Sequence, residues 1–225
     1  MIVFDTQVAA QQYLLREIPR GYWFWTSGIA SNTEKLNQLS DKFKELYGTT
    51  LPKDKRYFRK RKGLANAKAI AVQMPDGDFL WVLLVTEGKG VVMDHEKNTL
   101  QDARTSAGRV VWWGDYVLNQ VRRPKEHGGG LHWTWFLTPT KESEISRYMT
   151  ALVKNAPKAP HELRHYVDLQ LRRPMHSGIR SQLTRILKSA HKLFVRCYHD
   201  MAWPSEYPTV PLPILAGFRK ATKDS

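Results

Sequence analysis

The sequence contains one cysteine, Cys197, among its 225 residues. A lone thiol cannot close an internal disulfide or supply a multi-cysteine zinc site, so we expect a protein of the reducing cytoplasm. Long apolar runs are also missing: the longest, residues 79–85, has seven residues, whereas a membrane-spanning helix needs about 20. The first residues lack the basic segment and apolar stretch of a secretory signal. These absences predict a protein with no membrane partner.

Acidic residues are scarce relative to basic ones. The chain has 21 Asp and Glu against 35 Lys and Arg, which leaves a formal net charge of +14. Such an excess repels itself in the folded state unless a polyanion relieves it. Nucleic acid is the commonest polyanion, so the charge balance predicts a nucleic-acid partner, with DNA favoured over RNA. A basic surface that serves solubility alone is the competing interpretation.

Hydrophobic patterning predicts an α+β fold, in which an N-terminal helix and an antiparallel or mixed sheet of about five strands precede a helical C-terminal portion. The predicted strands are residues 22–26, 68–74, 79–86, 110–118 and 131–137, and the later predicted helices are residues 142–154, 161–172 and 178–199. The strand 79–86 is apolar on both faces, so we expect it at the centre of the sheet. Residues 87–109 are predicted to be a loop.

Local signals define two helices in the N-terminal half. Residues 8–18 have helical apolar spacing that stops at Pro19. A second helix is predicted to begin at the capping pair Ser31 and Glu34 and to end at Gly48.

The same patterns divide the chain into three segments. Residues 1–140 are predicted to form an α+β domain with a basic hinge at 53–62. Residues 141–202 are predicted to form a helical basic region, and the proline-rich residues 203–225 an extended tail. A single compact domain is the alternative organisation.

The last predicted helix has two chemically different faces. One face is apolar, with Ile179, Leu183, Ile186, Leu187, Ala190, Leu193, Phe194 and Cys197. The other face is cationic, with Arg180, Arg185, Lys188, Lys192 and Arg196. A solvated helix face usually mixes both signs, yet Asp168 is the one acid between residues 164 and 196. The pattern predicts a phosphate-binding face, supported by Arg172 and Arg173.

A second basic cluster lies at residues 53–62, where seven of ten side chains are Lys or Arg. Its candidate nucleic-acid contacts are Arg56, Arg59, Lys60, Arg61 and Lys62. Tyr57 and Phe58 lie among these cations, and their rings could stack on bases. A flexible charged loop is the alternative interpretation of the segment.

One motif stands out in the predicted helix 161–172: Pro160-His161-Glu162-Leu163-Arg164-His165-Tyr166. It resembles the His-x-x-Arg box of the tyrosine recombinases, the phage-integrase family. His191 and Tyr198 follow near where that family has its second histidine and its nucleophilic tyrosine, and Lys89 lies in a segment similar to its lysine-bearing hairpin. Ala65 stands where the family's first catalytic arginine is expected.

The resemblance implies a DNA strand-transfer enzyme that needs no metal. Tyr198 would attack a phosphodiester, and Lys89 would protonate the leaving oxygen. Arg164, His161 and His191 would stabilise the charge that develops on the phosphate. The residues themselves favour a different interpretation, in which the same helix belongs to a non-catalytic DNA-binding surface.

The sequence predicts neither a metal nor a cofactor. His161 and His165 lie one helical turn apart, but no third ligand is evident. Asp76, Glu87 and Lys89 match the letters of a metal-dependent nuclease motif, yet the predicted strand between the two acids separates them.

We therefore expect a non-enzymatic DNA-binding protein, such as an accessory factor in the replication, transfer or maintenance of a mobile element like a plasmid. The strand-transfer enzyme is the first alternative to this interpretation. An RNA-binding protein that uses its aromatic sheet is the second alternative.

Overall fold

The structure, a computed structural model, describes residues 1–122 and 125–204. Almost all of the predicted proline-rich tail lies outside these residues. The described chain forms two compact units, residues 1–110 and residues 111–204. The last two predicted strands, which the sequence patterning grouped with the N-terminal sheet, belong almost entirely to the same unit as the C-terminal helices.

The first unit is built on a five-stranded mixed sheet. Its strands are β1 (Ile2–Phe4), β2 (Phe24–Ala30), β3 (Ala67–Gln73), β4 (Phe79–Val85) and β5 (Gln101–Asp102). They lie in the order β1-β3-β4-β2-β5, with β1 parallel to β3 and the other neighbours antiparallel. The central position of β4 is confirmed, as is the α+β class with a mixed sheet.

The helices of the first unit are α1 (Gln7–Glu17), α2 (Thr33–Tyr47), α3 (Lys53–Arg61) and α4 (Val91–His95). Asn32, not Ser31, caps α2, because its side-chain oxygen accepts a hydrogen bond from the Lys35 amide at 2.9 Å. Asn and Ser are equally good N-cap residues, so the predicted cap lies one residue before the observed one. Gly48 ends α2 with φ 66°, as predicted. The predicted loop at 87–109 is wrong in part, since it contains α4 and β5.

A buried carboxylate joins α1 to the sheet. Glu17 is 1% exposed, and it accepts hydrogen bonds from Lys68 on β3 at 2.6 Å and from Arg16 at 2.8 Å. Burial alone raises the pKa of Glu17, but the hydrogen bonds from Lys68 and Arg16 outweigh it, so the pKa lies below its ordinary value. The carboxylate is therefore ionised at neutral pH and holds both cations in place.

The second unit packs helices on a three-stranded antiparallel sheet. Its strands are β6 (Val111–Trp112), β7 (Tyr116–Arg122) and β8 (Leu131–Leu137), and its helices are α5 (Pro139–Asn155), α6 (Pro160–Leu171) and α7 (Ser177–Cys197). The predicted continuous strand at 110–118 is wrong, because Trp113 (φ 50°) and Gly114 (φ 70°) turn the chain between β6 and β7. The predicted strand 131–137 and the three predicted helices are confirmed.

Helix α7 covers the free edge of β8. The Gln182 side chain accepts a hydrogen bond from the Leu137 amide at 2.7 Å and donates one to the Leu137 carbonyl at 3.2 Å, as a neighbouring strand would. The same side chain donates to Glu142 on α5 at 2.6 Å. Gly178 permits this approach, because a Cβ there would lie 2.4 Å from the Trp135 carbonyl oxygen. The edge of the sheet is thereby protected from pairing with another chain.

We expect the second unit to lose stability in acid through His176, which immediately precedes α7. Burial lowers the pKa of its imidazole from 6.5 to about 4. Between pH 6.5 and about pH 4, His176 is protonated in the unfolded chain but neutral in the folded chain. The contribution of the buried imidazole to the free energy of unfolding is therefore complete above pH 6.5 and is lost as the pH falls. The loss reaches at most about 3 kcal/mol. Urea unfolding of wild type and His176→Gln across this pH range checks it, and an equal pH slope in both proteins would assign the effect to another group.

Candidate nucleic-acid interface

Helix α7 has one buried face and one exposed face, as its sequence predicts. Its buried residues are Gly178, Ile179, Gln182, Leu183, Ile186, Leu187, Ala190 and Phe194. Two members of the predicted apolar face differ: Leu193 is half-buried and Cys197 is exposed. Phe194 is the last buried residue of the helix, so the predicted apolar face is wrong in the final turn.

Three cations form a line along the exposed face of α7. Lys188, Lys192 and Arg196 are spaced four residues apart, which places successive charges about 6 Å apart along the helix axis. All three side chains are exposed. Within the part of the chain that the structure describes, none of them forms an ion pair with a carboxylate. We call these three residues the α7 stripe, and their charges are available to an anionic partner.

The other two predicted cations of α7 have different surroundings. Arg185 is paired with Glu142 of α5, which compensates its charge. Arg180 is half-buried in the first turns of the helix. Because an internal carboxylate competes with any phosphate for a guanidinium, we expect Arg185 to contribute less to binding than the α7 stripe.

The two arginines that follow α6 also differ from each other. Arg172 is exposed. Arg173 is only 17% exposed, and its guanidinium donates to the Tyr116 hydroxyl at 3.0 Å and lies 3.4 Å from Asp115. Arg173 therefore ties the end of α6 to β7, while Arg172 is free to meet a ligand.

A groove between α5 and α7 adds a cation that the sequence patterning missed. The groove has a volume of about 540 Å³, and the guanidinium-bearing residues Arg147 and Arg185 both line it. Ser143, Ser146 and Ser189 line it as well. Arginine side chains and hydroxyls are donors that phosphate oxygens accept in nucleic-acid complexes. The exposed Arg147 thus extends the cationic surface of α7 onto α5.

The basic segment 53–62 forms helix α3, so the prediction of a hinge is corrected. Two side-chain bonds fix the helix to the chain that follows it: Asn66 donates to the Arg56 carbonyl at 3.0 Å, and Arg59 donates to the Ala65 carbonyl at 2.9 Å. Arg56 and Arg59 are consequently half-buried. The exposed cations at its C-terminal end are Lys60, Arg61 and Lys62.

Two aromatic rings are exposed on α3. Tyr57 is 59% exposed and Phe58 is 58% exposed, and their ring centroids lie 5.9 Å apart. By contrast, Trp25, Trp112 and Trp135 on the sheets are buried and belong to the core. Exposed rings among cations combine phosphate neutralisation with a surface for unpaired bases.

The proposed nucleophile of the strand-transfer interpretation takes part in a structural contact. The Tyr198 hydroxyl donates a hydrogen bond to the Lys154 carbonyl at 2.7 Å, near the end of α5. His191 lies edge-on to the ring of Trp203, with 5.3 Å between the ring centroids. Each side chain therefore has a packing role in the second unit.

The remaining catalytic candidates take no part in these contacts. His161 and Arg164 are exposed on α6. Lys89 belongs to the first unit, where its backbone pairs with that of Gly63 and Ala65. Across residues 125–204, no hydrogen bond joins His161, Arg164 or His191 to Tyr198. Their convergence on one phosphate stays a prediction.

The described ranges contain neither a candidate metal site nor a candidate membrane span. No group of three or more His, Cys, Asp or Glu side chains there could hold a metal ion. His161 and His165 gain no third ligand among these residues. No helix in the same ranges is long and apolar enough to cross a bilayer.

Comparisons with known proteins returned nothing similar. No protein-family model matches the chain, and no curated protein or solved structure matches it. In particular, no comparison connects the box at residues 161–164 to the tyrosine recombinases. What the chain binds must therefore be inferred from its own surfaces.

Proposed function

We propose that this chain is a non-enzymatic nucleic-acid-binding protein that favours DNA, with the α7 stripe as its principal contact. The observation that carries the proposal is the alignment of three exposed cations without carboxylate partners among the described residues. Each cation that neutralises a phosphate releases condensed counterions, and this release drives sequence-independent binding. The scarcity of acids in residues 111–204, 7 against 15 Lys and Arg, adds to the attraction.

The groove beside the stripe supports the same function. Arg147 on α5 adds one positive charge next to α7, and the serine hydroxyls between the helices are suited to hold phosphate oxygens. Contacts of this kind to phosphate oxygens carry no direct sequence information, so we expect binding that depends little on sequence.

Helix α3 is the proposed second contact. Lys60, Arg61 and Lys62 are exposed beside Tyr57 and Phe58. The cations suit the phosphates, and the rings suit bases that are not paired. We propose that α3 binds single-stranded segments, whereas the straight α7 stripe suits a duplex.

A cytoplasmic protein of this kind would act as an accessory factor in the replication, transfer or maintenance of a mobile element. Cys197 is exposed and unpaired, which suits a reducing compartment. Sequence-independent binding through a basic surface is compatible with such a role.

A competition experiment tests the proposed ligand. Fluorescence anisotropy with duplex DNA, single-stranded DNA and duplex RNA of equal length, at one salt concentration of about 0.1 M, compares the three affinities. The proposal expects saturable binding with duplex DNA ahead of duplex RNA. Preference for RNA would favour the RNA-binding interpretation instead, and absence of binding to all three would end the proposal.

Tyr198→Phe separates the binder from a strand-transfer enzyme. The change removes the hydrogen bond to the Lys154 carbonyl, so we expect a stability loss of about 1 kcal/mol and an unchanged DNA affinity. Thermal unfolding and anisotropy measure the two quantities. A covalent protein–DNA adduct on denaturing gels that appears with wild type and disappears in the variant would overturn the non-enzymatic proposal.

A further inference from the structure

The first unit contains a cavity of about 390 Å³. Side chains from α1, β3 and the N-terminal half of α3 line it, among them Tyr13, Arg16, Arg56 and Lys68. Three of these four residues are cations. Thr49, from the turn that follows α2, also lines the cavity.

Positive charge exceeds negative charge at this cavity. Glu17 compensates one charge by binding both Arg16 and Lys68. Arg56 has no side-chain partner among the described residues. Arg56 and Lys68 line the same cavity. Burial, and to a lesser degree the charge of Arg56, lowers the pKa of Lys68 despite its bond to Glu17. The cluster is therefore short of negative charge.

One buried hydroxyl group at the cavity lacks a partner. Thr49 is 8% exposed, and its buried hydroxyl oxygen forms no hydrogen bond in the described chain. Tyr13 also lines the cavity, and its hydroxyl could donate to a bound acceptor. Buried hydroxyls are normally paired, and leaving one unpaired costs about 1–3 kcal/mol. An acceptor in the cavity would satisfy the Thr49 hydroxyl.

We propose that this cavity binds a phosphate group. Arg56 and Lys68 would face its charge, the Tyr13 and Thr49 hydroxyls would donate to its oxygens, and Glu17 would hold Lys68 in position. A doubly charged phosphate monoester fits a cluster with three cations and one carboxylate. The phosphate could belong to the 5′ end of a nucleic-acid strand or to a small phosphorylated molecule. The site is independent of the α7 stripe and does not require the function proposed above.

The variants that test the site leave the Glu17 ion pairs intact. Arg56→Gln removes the cation without an internal partner, and Thr49→Val removes a hydroxyl while keeping the side-chain shape. Lys42→Gln, which removes one exposed charge from α2 in the same unit, is the matched control. Isothermal titration calorimetry with inorganic phosphate measures the affinity of each protein.

We expect Arg56→Gln to weaken phosphate binding about tenfold, because a charge-assisted hydrogen bond is lost. Thr49→Val should weaken it several-fold while leaving the phosphate-free protein as stable as wild type, which a purely structural hydroxyl would not do. Lys42→Gln should bind phosphate like wild type. Absence of phosphate binding by wild type, or equal binding by Arg56→Gln and Lys42→Gln, would overturn the proposal.

Oligonucleotides with and without a 5′ phosphate distinguish the two sources. A preference for the phosphorylated strand that is lost in Arg56→Gln identifies the strand end, whereas phosphate binding without such a preference identifies a small molecule. Both outcomes support the cavity. If the protein binds DNA strands but not inorganic phosphate, only the proposed phosphate site is refuted. If it binds phosphate but not DNA strands, only the DNA-binding proposal is refuted.

Discussion

Replacement of Lys188, Lys192 and Arg196 together with glutamine lowers the affinity for duplex DNA about 100-fold at about 0.15 M salt. Each lost phosphate contact removes the release of nearly one counterion, and at this salt concentration that amounts to about a fivefold loss. The three side chains are exposed, so the substitutions should change the free energy of unfolding by less than about 0.5 kcal/mol each. Fluorescence anisotropy gives the affinity, and urea unfolding confirms that the fold is retained.

The matched control removes the same charge from a helix of mixed sign. Helix α2 carries Lys35, Lys42 and Lys44 among the acids Glu34, Asp41 and Glu45. Replacing its three lysines with glutamine should lower DNA affinity by less than about threefold, because nearby acids already offset them. Equal losses in the two triple variants would mean that total charge, and not the α7 stripe, governs binding.

Gln182→Leu destabilises the second unit by about 3 kcal/mol. The substitution leaves the Leu137 amide and carbonyl at the edge of β8 without their partners, in a buried position. It also removes a hydrogen bond to Glu142, which then depends on Arg185 alone. Unsatisfied buried groups cost more than the lost bonds are worth, so the apolar side chain does not compensate. Urea unfolding measures the loss.

Ser181→Ala is the control for this prediction. Ser181 is exposed on α7 next to Gln182, so its replacement should change the free energy of unfolding by less than about 0.5 kcal/mol. A loss below about 1 kcal/mol in Gln182→Leu would show that water or a shift of α7 restores the partners of Leu137.

Elements with strong periodicity were predictable from the sequence, and elements fixed by distant contacts were not. The two-faced apolar pattern of residues 79–85 was sufficient to predict a central strand, and the spacing of α7 predicted its buried face up to Phe194. Helix α3 was missed because it buries none of its residues and is held by Asn66 and by Arg59. The backbone of Trp113 is left-handed, a conformation that glycine usually adopts. Because a tryptophan occupies the position, the sequence did not predict the turn there.

The candidate site was likewise predictable only where it depends on spacing along one element. The α7 stripe follows from spacing along one helix. The pairing of Arg185 with Glu142 joins residues 43 positions apart, and that of Arg173 with Tyr116 joins residues 57 apart, so no local pattern indicates either. Arg147 was missed because Glu142 and Glu144 precede it on α5, so the segment contains charges of both signs and shows no excess of positive charge.

The cationic cavity of the first unit was not predictable either. Its cations come from α1, α3 and β3, and sequence patterning assigned Arg56 to an exposed basic segment. Only the fold places Arg56 near Lys68 and beside the buried hydroxyl of Thr49. Because the cluster is assembled from three elements, the spacing of residues within any one element does not indicate it.

The salt dependence of duplex DNA binding shows whether Lys188, Lys192 and Arg196 contact phosphates. With the logarithm of the association constant plotted against the logarithm of salt concentration, the wild type should give a straight line of slope about −3 or steeper. The variant that lacks the three cations of the α7 stripe should give a line shallower by about 2.7. Identical slopes for the two proteins, or a wild-type affinity that salt leaves unchanged, would contradict a phosphate-binding role for Lys188, Lys192 and Arg196.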